Sequence, residues 1–212
     1  MSEIHKNNDF KDINEGRRSI RIYDSSVKIS KEEMTQIINE AVKAPSSINM
    51  QPWRFVVVES EEGKEKLRPL VRFNINQLET SAAMIIIFGD LQSFDYAEKI
   101  YSTAVEKGYM PQEVKDKQLS TFSKYYETMS REKNIETVLI DCGLVAMNLM
   151  LVARSHGYDT NAIGGFEKDK IAEAVGLDKD RYYPVMIVAI GKAKDPGYPS
   201  YRLPAEEITS WL

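Results

Sequence analysis

The chain has 212 residues, 42% apolar and 28% charged, with a net charge of −4 and an isoelectric point near 5.4. That length can bury a full core without staples, and the acidic balance offers no global basic field to nucleic acid. The single cysteine, Cys142, excludes an intrachain disulfide. One cysteine and two histidines also fall short of the usual four-ligand structural zinc set, so the expectation is a cytoplasmic protein without a metal.

Residues 1–10 are polar and mixed in charge, with no apolar signal core. Ser30-Lys31-Glu32-Glu33 has capping-box form, and Met34, Ile37, Ile38, Ala41 and Val42 follow at helical spacing. Pro45 is expected to stop that helix. Residues 55–58 and 83–88 are β-branched or aromatic runs and predict strands. Residues 61–76 between them read as a helix complicated by Pro69. The long charged region 91–134 reads as helical, interrupted at Gly108 and Pro111. Residues 138–154 are apolar on nearly every face and predict a central buried helix, broken in character only by Asp141 and Asn148. At roughly 20 residues needed for a membrane span, the apolar stretch 138–153 is too short, so no membrane is expected.

Gly157 is placed for a left-handed cap, with His156 a capping or surface residue in the last turn. Residues 168–175 predict a short helix capped by Gly176, and 185–190 a third strand. Taken alone, this alternation suggests a parallel sheet with crossovers. Beyond the last strand, Tyr198, Tyr201, Leu203, Ile208 and Trp211 form an apolar tail that suits a partner subunit better than a monomer.

Four segments can carry chemistry. Arg17-Arg18-Ser19-Ile20-Arg21 puts three planar guanidiniums and a hydroxyl within five residues, a phosphate-binding composition. In residues 44–53, two prolines stiffen a run of hydroxyl and amide side chains between a helix and a strand. Asn161-Ala162-Ile163-Gly164-Gly165-Phe166 lets backbone approach a flat ligand closely. Tyr201-Arg202-Leu203-Pro204 adds one arginine in the tail. Alone, the first two are better read as a solvated basic turn and a capping turn, the third has an ordinary tight turn as its alternative, and the fourth is a stray charge. No Gly-x-Ser-x-Gly elbow or dinucleotide fingerprint occurs, and Cys142 reads as an inert core thiol. No side chain stands out as base or nucleophile, which leaves the chemistry to a bound cofactor.

In this order and spacing, the four segments resemble the FMN-dependent nitroreductase family from about Arg17 to Pro204. The resemblance implies one α+β domain over 1–212, a mixed β-sheet surrounded by helices, in an intertwined homodimer. Residues 192–212 would embrace the partner, and 91–134 would cover the active site. Arg17, Arg18 and Ser19 match the first FMN-binding segment, with Arg17 and Arg202 on the phosphate. Arg21 matches the cation facing the flavin pyrimidine, where positive charge favours the reduced ring. Pro45, Ser46, Ser47 and Asn49 match the segment given by the second subunit, and Ile163, Gly164 and Gly165 the strip along the ring. A further amide position is assigned to Asn76, with Asn74 and Gln77 as neighbouring choices.

The implied activity is reduction of nitroaromatic, quinone or flavin-type acceptors with NADH or NADPH by a ping-pong route, the catalytic atom being flavin N5 and not a side chain. Tyr96, Tyr101, Phe122, Tyr125 and Tyr126 are candidates to stack on an aromatic substrate. Alternatives on the same scaffold are a flavin-dependent desaturase or dehalogenase, and a non-catalytic FMN storage or sensor protein.

Overall fold

The computed structural model describes residues 5–212; the first four residues of the polar N-terminal segment lie outside the described residues. Helices α1 (Phe10–Gly16) and α2 (Lys31–Ala41) lead into β1 (Trp53–Val58), α3 (Glu61–Leu67), α4 (Ile75–Thr80) and β2 (Ala83–Asp90). An excursion of α5 (Ala97–Glu106) and α6 (Gln112–Thr128) precedes the long α7 (Arg131–Ser155). Then come β3 (Asp159–Ile163), α8 (Lys168–Ala174), β4 (Tyr182–Gly191) and a short α9 (Ala205–Ile208).

The four strands pair antiparallel in the order β1-β2-β4-β3. The parallel-crossover reading is therefore wrong, and the fold is α+β. The sheet's mixed character comes from one parallel bridge, Ser19 with Thr160, which lays the arginine segment along the β3 edge. β3 is a strand that the sequence does not announce, because Asp159 and Asn161 interrupt its β-branched Thr160 and Ile163.

Side-chain caps start α1, α2, α3 and α7. Ser30 Oγ accepts from the Glu33 amide at 3.1 Å, and Ser130 Oγ accepts from Lys133 N at 3.2 Å. The second cap starts α7 seven residues before the apolar run, giving 25 residues, long and apolar enough to cross a membrane, yet packed here against the sheet. Around Pro69 the expected 61–76 helix divides into α3, two 3₁₀ turns and α4. Gly157 and Gly176 close α7 and α8 with φ of +84° and +77°, the left-handed geometry their positions predict. His156 is the C-cap of α7, and it is buried rather than exposed.

β2 is buried at all eight positions, so the sheet needs cover on both faces. Ile85, Ile87, Val188 and Ile190 point toward α2 and α7, with Met34, Ile37, Val145 and Leu149. Met84, Ile86, Phe88 and Ile187 point the other way, onto Leu67, Leu78, Ile171 and Ile20. Cys142 sits at the first interface, where burial pushes its thiol up to about 12, so it is inert. One face of α7 stays uncovered: Ile140, Leu144 and Met147 are exposed at helical spacing. Tyr198, Tyr201, Leu203, Ile208 and Trp211 of the tail are exposed as well.

Asp90, at the end of β2, is fully buried between two arginines. Arg181 meets it through Nε and Nη2 at 2.9 and 3.0 Å, and Arg54 through Nη2 at 3.1 Å. Asp90→Ala leaves two guanidiniums without their shared counter-ion. It is expected to cost about 3–5 kcal/mol of stability, read by urea denaturation.

Candidate active site

The arginine segment reaches β3 because Ile20 donates its N–H to Thr160 O at 3.1 Å, while the Ile20 side chain fills the core. This leaves Arg17, Arg18, Ser19 and Arg21 beside the exposed edge of the strand. Arg17 lies in a field set by Arg202, Arg18 and Arg154; burial first, then these three charges, press its pKa down. Among the described residues Arg17 and Arg202 have no carboxylate at ion-pair distance, whereas Arg154 is bound by Asp159 at 3.0 Å. Such a concentration of like charge in an acidic protein calls for an anion. Arg21 lies 5.9 Å from the centre of the Tyr198 ring, which ties the tail to the same edge.

At the other end of β3, Ile163 turns into the core, and Gly164 and Gly165 are exposed. Neither glycine has a positive φ, and a Cβ built on either meets nothing within 4 Å. The fold itself does not require glycine here; a ligand lying flat on the backbone would. Asn74 donates through Nδ2 to Gly165 O at 3.2 Å and accepts from Gln77 Nε2 at 3.2 Å. Asn76, the amide chosen from sequence, is exposed, and its carbonyl holds Thr80 Oγ1 at 2.6 Å. The structure therefore brings Asn74, not Asn76, to the glycine strip.

The segment with Pro45, Ser46, Ser47 and Asn49 lies elsewhere on the chain. Its anchor is Asp141 of α7, which accepts from Ser47 N at 3.0 and 3.1 Å and from Ser47 Oγ at 3.2 Å. Two turns on, Asn148 Nδ2 donates to Ala41 O at 2.7 Å and closes the end of α2. The two polar interruptions of the apolar helix thus hold the two ends of one loop. Ile48, Asn49 and Gln51 have φ of 46°, 60° and 48°. For a β-branched Ile48 this is strain of order 1–3 kcal/mol. Tyr101 OH donates to Ile48 O at 2.8 Å and Ser46 Oγ accepts from Gln51 N at 3.0 Å, which keep the loop in place. Measured along the axis of α7, Asp141 lies roughly 20 Å from Arg154. Within one chain this segment and the arginine segment are separate.

Beside the loop opens a cleft of ≈ 480 Å³ walled by Asn49, Arg54, Tyr96, Lys99, Lys107 and Tyr109. Of the five aromatics expected to stack on substrate, Tyr96 alone lines it, with the Arg54 guanidinium 4.6 Å over the centre of its ring. Tyr101 is buried with its hydroxyl committed, Tyr126 stacks on Phe94 at 4.7 Å, and Tyr125 packs edge-on to Tyr126. Phe122 is partly buried and outside the cleft lining. Packing claims Tyr101 and Tyr126, which join Met50, Ala97, Phe94 and Leu119 in a small cluster between α5, α6 and the loop after Pro45. Tyr109, Lys99 and Lys107 were missed; they carry no motif, and only the fold of the excursion gathers them.

A guanidinium cluster beside β3 and an uncrowded glycine pair after its end are the features of this α+β fold that suit a flat, anionic ligand. The family model described as the nitroreductase family matches residues 15–192, and the chain belongs to that family. Bacillus subtilis YdgI, provisionally named an NAD(P)H nitroreductase, is 61% identical over 206 residues, covering 97% of this chain and 99% of that protein. A provisionally assigned nitroreductase from Exiguobacterium sibiricum, crystallised in complex with FMN, superposes with a TM-score of 0.95 at 61% identity, covering 97% of this chain and 98% of that one. The CLA biosynthesis enone reductase of Lactiplantibacillus plantarum is 40% identical over 216 residues, the full length of both.

Burial raises the Asp141 carboxyl above its ordinary 3.8, against the bonds from Ser47 that lower it. The folded state therefore holds this proton to higher pH than the unfolded chain does. The penalty for ionising it is absent below that ordinary value and complete above the folded one. Asp141→Asn keeps an acceptor for Ser47 N–H without the charge. Its stability relative to the parent is expected to rise as pH is raised from 3.5 to 7, measured by urea midpoints across that range.

Proposed function

We propose that the chain is an FMN-dependent oxidoreductase that takes electrons from NADH or NADPH and passes them to nitroaromatic, quinone or flavin-type acceptors. The observation that carries this reading is the arrangement on β3. Arginines gather at its start and an uncrowded glycine pair follows its end, roughly 13 Å further along the strand. That suits a molecule with a phosphate at one end and a flat ring at the other. The FMN-bound relative from Exiguobacterium supports the identity of the cofactor.

In this reading Arg17 and Arg202 grip the phosphate by charge-assisted bonds, with Arg18 and Ser19 beside them. Arg21, further along the same edge, faces the pyrimidine side of the ring. Asn74 replaces Asn76 as the amide for that side, supported by its bond to Gly165. Ile163, Gly164 and Gly165 lie along the ring. Bound FMN supplies the redox chemistry, taking electrons from the nicotinamide and yielding them to the acceptor in turn.

The segment with Pro45, Ser46, Ser47 and Asn49 completes the site of a second subunit in a homodimer. Support comes from its separation from the arginines, from the uncovered Ile140, Leu144 and Met147 stripe, and from the exposed aromatic tail. The cleft beside Asn49 then admits donor and acceptor successively, with residues 91–134 forming its outer wall. A single buried cysteine accords with a cytoplasmic setting.

A second reading has one observation in its favour. The cleft combines apolar walls with Lys99 and Lys107, and the full-length enone reductase relative is named for reducing an activated double bond. Reduction of an anionic, largely apolar enone fits that lining. An acceptor panel of nitroaromatics, quinones and carboxylated enones ranked by kcat/KM separates the two.

The purified protein is expected to be yellow and to bleach anaerobically on addition of NADH or NADPH. Initial-rate lines at several acceptor concentrations are expected to be parallel; intersecting lines would exclude alternate use of one pocket. Yellow protein that neither nucleotide bleaches would point to FMN storage instead.

Two variants test the cofactor site itself. Arg17→Ala is expected to weaken FMN about 10–100-fold, the loss of a charge-assisted bond, by fluorescence titration of apoprotein. Gly164→Val enters open space in the fold, so the apoprotein should melt within a degree or so of the parent while FMN binding is lost. A Gly164→Val variant that binds FMN as the parent does would remove the strip from the site.

A further inference from the structure

A second constellation lies where the N-terminal segment meets α2 and the end of α7. His5, Glu40 and His156 each bring one ligand atom within 4.8 Å of the others. Glu40 Oε2 stands 3.2 Å from His156 Nε2 and 3.7 Å from His5 Nε2. Two donors bound at roughly 2.0–2.1 Å to one tetrahedral zinc ion lie roughly 3.3 Å apart. Both distances to Glu40 are therefore already near the spacing of donors on a shared ion, and the ligand nitrogens of the two imidazoles lie within 4.8 Å of each other.

The hydrogen bonds around them set the direction of the lone pairs. Ser155 Oγ donates to Val152 O at 2.8 Å, so it accepts from His5 Nδ1–H at 3.0 Å. This turns a lone pair on His5 Nε2 toward Glu40, acceptor against acceptor. His156 is 1% exposed, and its buried Nδ1 has no hydrogen-bond partner. The group facing that nitrogen is Glu33 Oε1 at 3.7 Å, a carboxylate whose other oxygen accepts from Tyr158 OH at 2.8 Å. A carboxylate behind the far nitrogen of a histidine is the usual support for a metal-bound imidazole. With Nδ1–H turned to Glu33, His156 Nε2 presents a lone pair to the same Glu40 oxygen that His5 Nε2 faces.

We propose that His5, Glu40 and His156 bind one divalent transition-metal ion of the Zn²⁺ type, with Glu33 and Ser155 orienting the two imidazoles. Water takes the fourth position, reached from the solvent side where His5 and Glu40 are part-exposed. The ion staples the N-terminal segment onto α2 and α7. There the amides of Lys6 and Asn7 already bond Ser155 O at 2.8 and 3.1 Å. The site does not depend on the flavin reading; it shares no side chain with the arginine cluster.

The test is calorimetric titration of ZnCl₂ into untagged, full-length protein as purified, after chelator treatment, at pH 7.5 and pH 5.5. One ion per chain is expected, with a dissociation constant in the micromolar range or below and a raised melting temperature. Binding should weaken at pH 5.5, because metal uptake releases protons. His5→Ala and Glu40→Gln, both on part-exposed arms and away from the flavin site, should each weaken binding at least 10–100-fold. His156→Ala is avoided because it opens a buried site. No binding in the parent, or binding unchanged in both variants, would overturn the proposal and leave the cluster as a histidine–carboxylate hydrogen-bond set.

Discussion

A strand buried on both faces is the constraint from which the rest of the molecule follows. β2 exposes none of its eight residues, so helices must cover both sides of the sheet. α2 and α7 take one face; α3, α4 and α8 take the other. Burying α7 against the sheet uses only part of a helix that is apolar nearly all round. The remainder, through Ile140, Leu144 and Met147, faces outward. That second apolar face and the aromatics of the tail are surfaces this chain leaves exposed. The β3 edge, left free by the antiparallel order, is where the arginine segment docks.

The candidate site stores unfavourable energy in two places. Arg17 is partly buried among like charges, and the loop after Pro45 holds Ile48 and Asn49 in the left-handed region. Both costs are borne by the rest of the fold. Asp141, Tyr101 and Ser46 hold the loop, while Asp159 neutralises Arg154 behind the cluster. Under the proposed reading a dianionic ligand would relieve the first cost, which would link cofactor binding to fold stability. The strained loop instead fixes where hydroxyl and amide groups are presented, before any ligand arrives.

The polar residues of α7 show how one helix serves core and site together. Asp141 and Asn148 lie two turns apart on one side. They receive Ser47 and close the end of α2, on either side of Pro45. Farther on, Arg154 joins the cationic cluster, Ser155 receives the N-terminal amides and His156 reaches Glu40. The rigid helix fixes all of these relative to the sheet, which is why chain segments far apart in sequence keep a common frame.

Local chemistry made much of this legible. Ser30 as a cap, Gly157 and Gly176 as left-handed closures, the breaks at Gly108 and Pro111, and the strands around Phe55, Ile85 and Val188 all depend on near neighbours in the chain. The arginine run, the Pro-Ser-Ser-Ile-Asn loop and the glycine pair were visible for the same reason: their composition departs from an ordinary surface. What the sequence could not decide was pairing at long range. Whether strands run parallel or antiparallel depends on how helices return across the sheet, and β3 has too few β-branched residues to announce itself. Asn74 and Asn76 differ by two residues, and only the turn after Val71 decides which amide meets Gly165. Tyr101 and Tyr126 are indistinguishable in composition from Tyr96 and Tyr109 until packing buries Tyr101, stacks Tyr126 on Phe94 and leaves the second pair at the cleft. His5 and His156 lie 151 positions apart, and only the tertiary structure sets both against Glu40, because convergence of side chains is a property of the folded backbone and not of spacing along it.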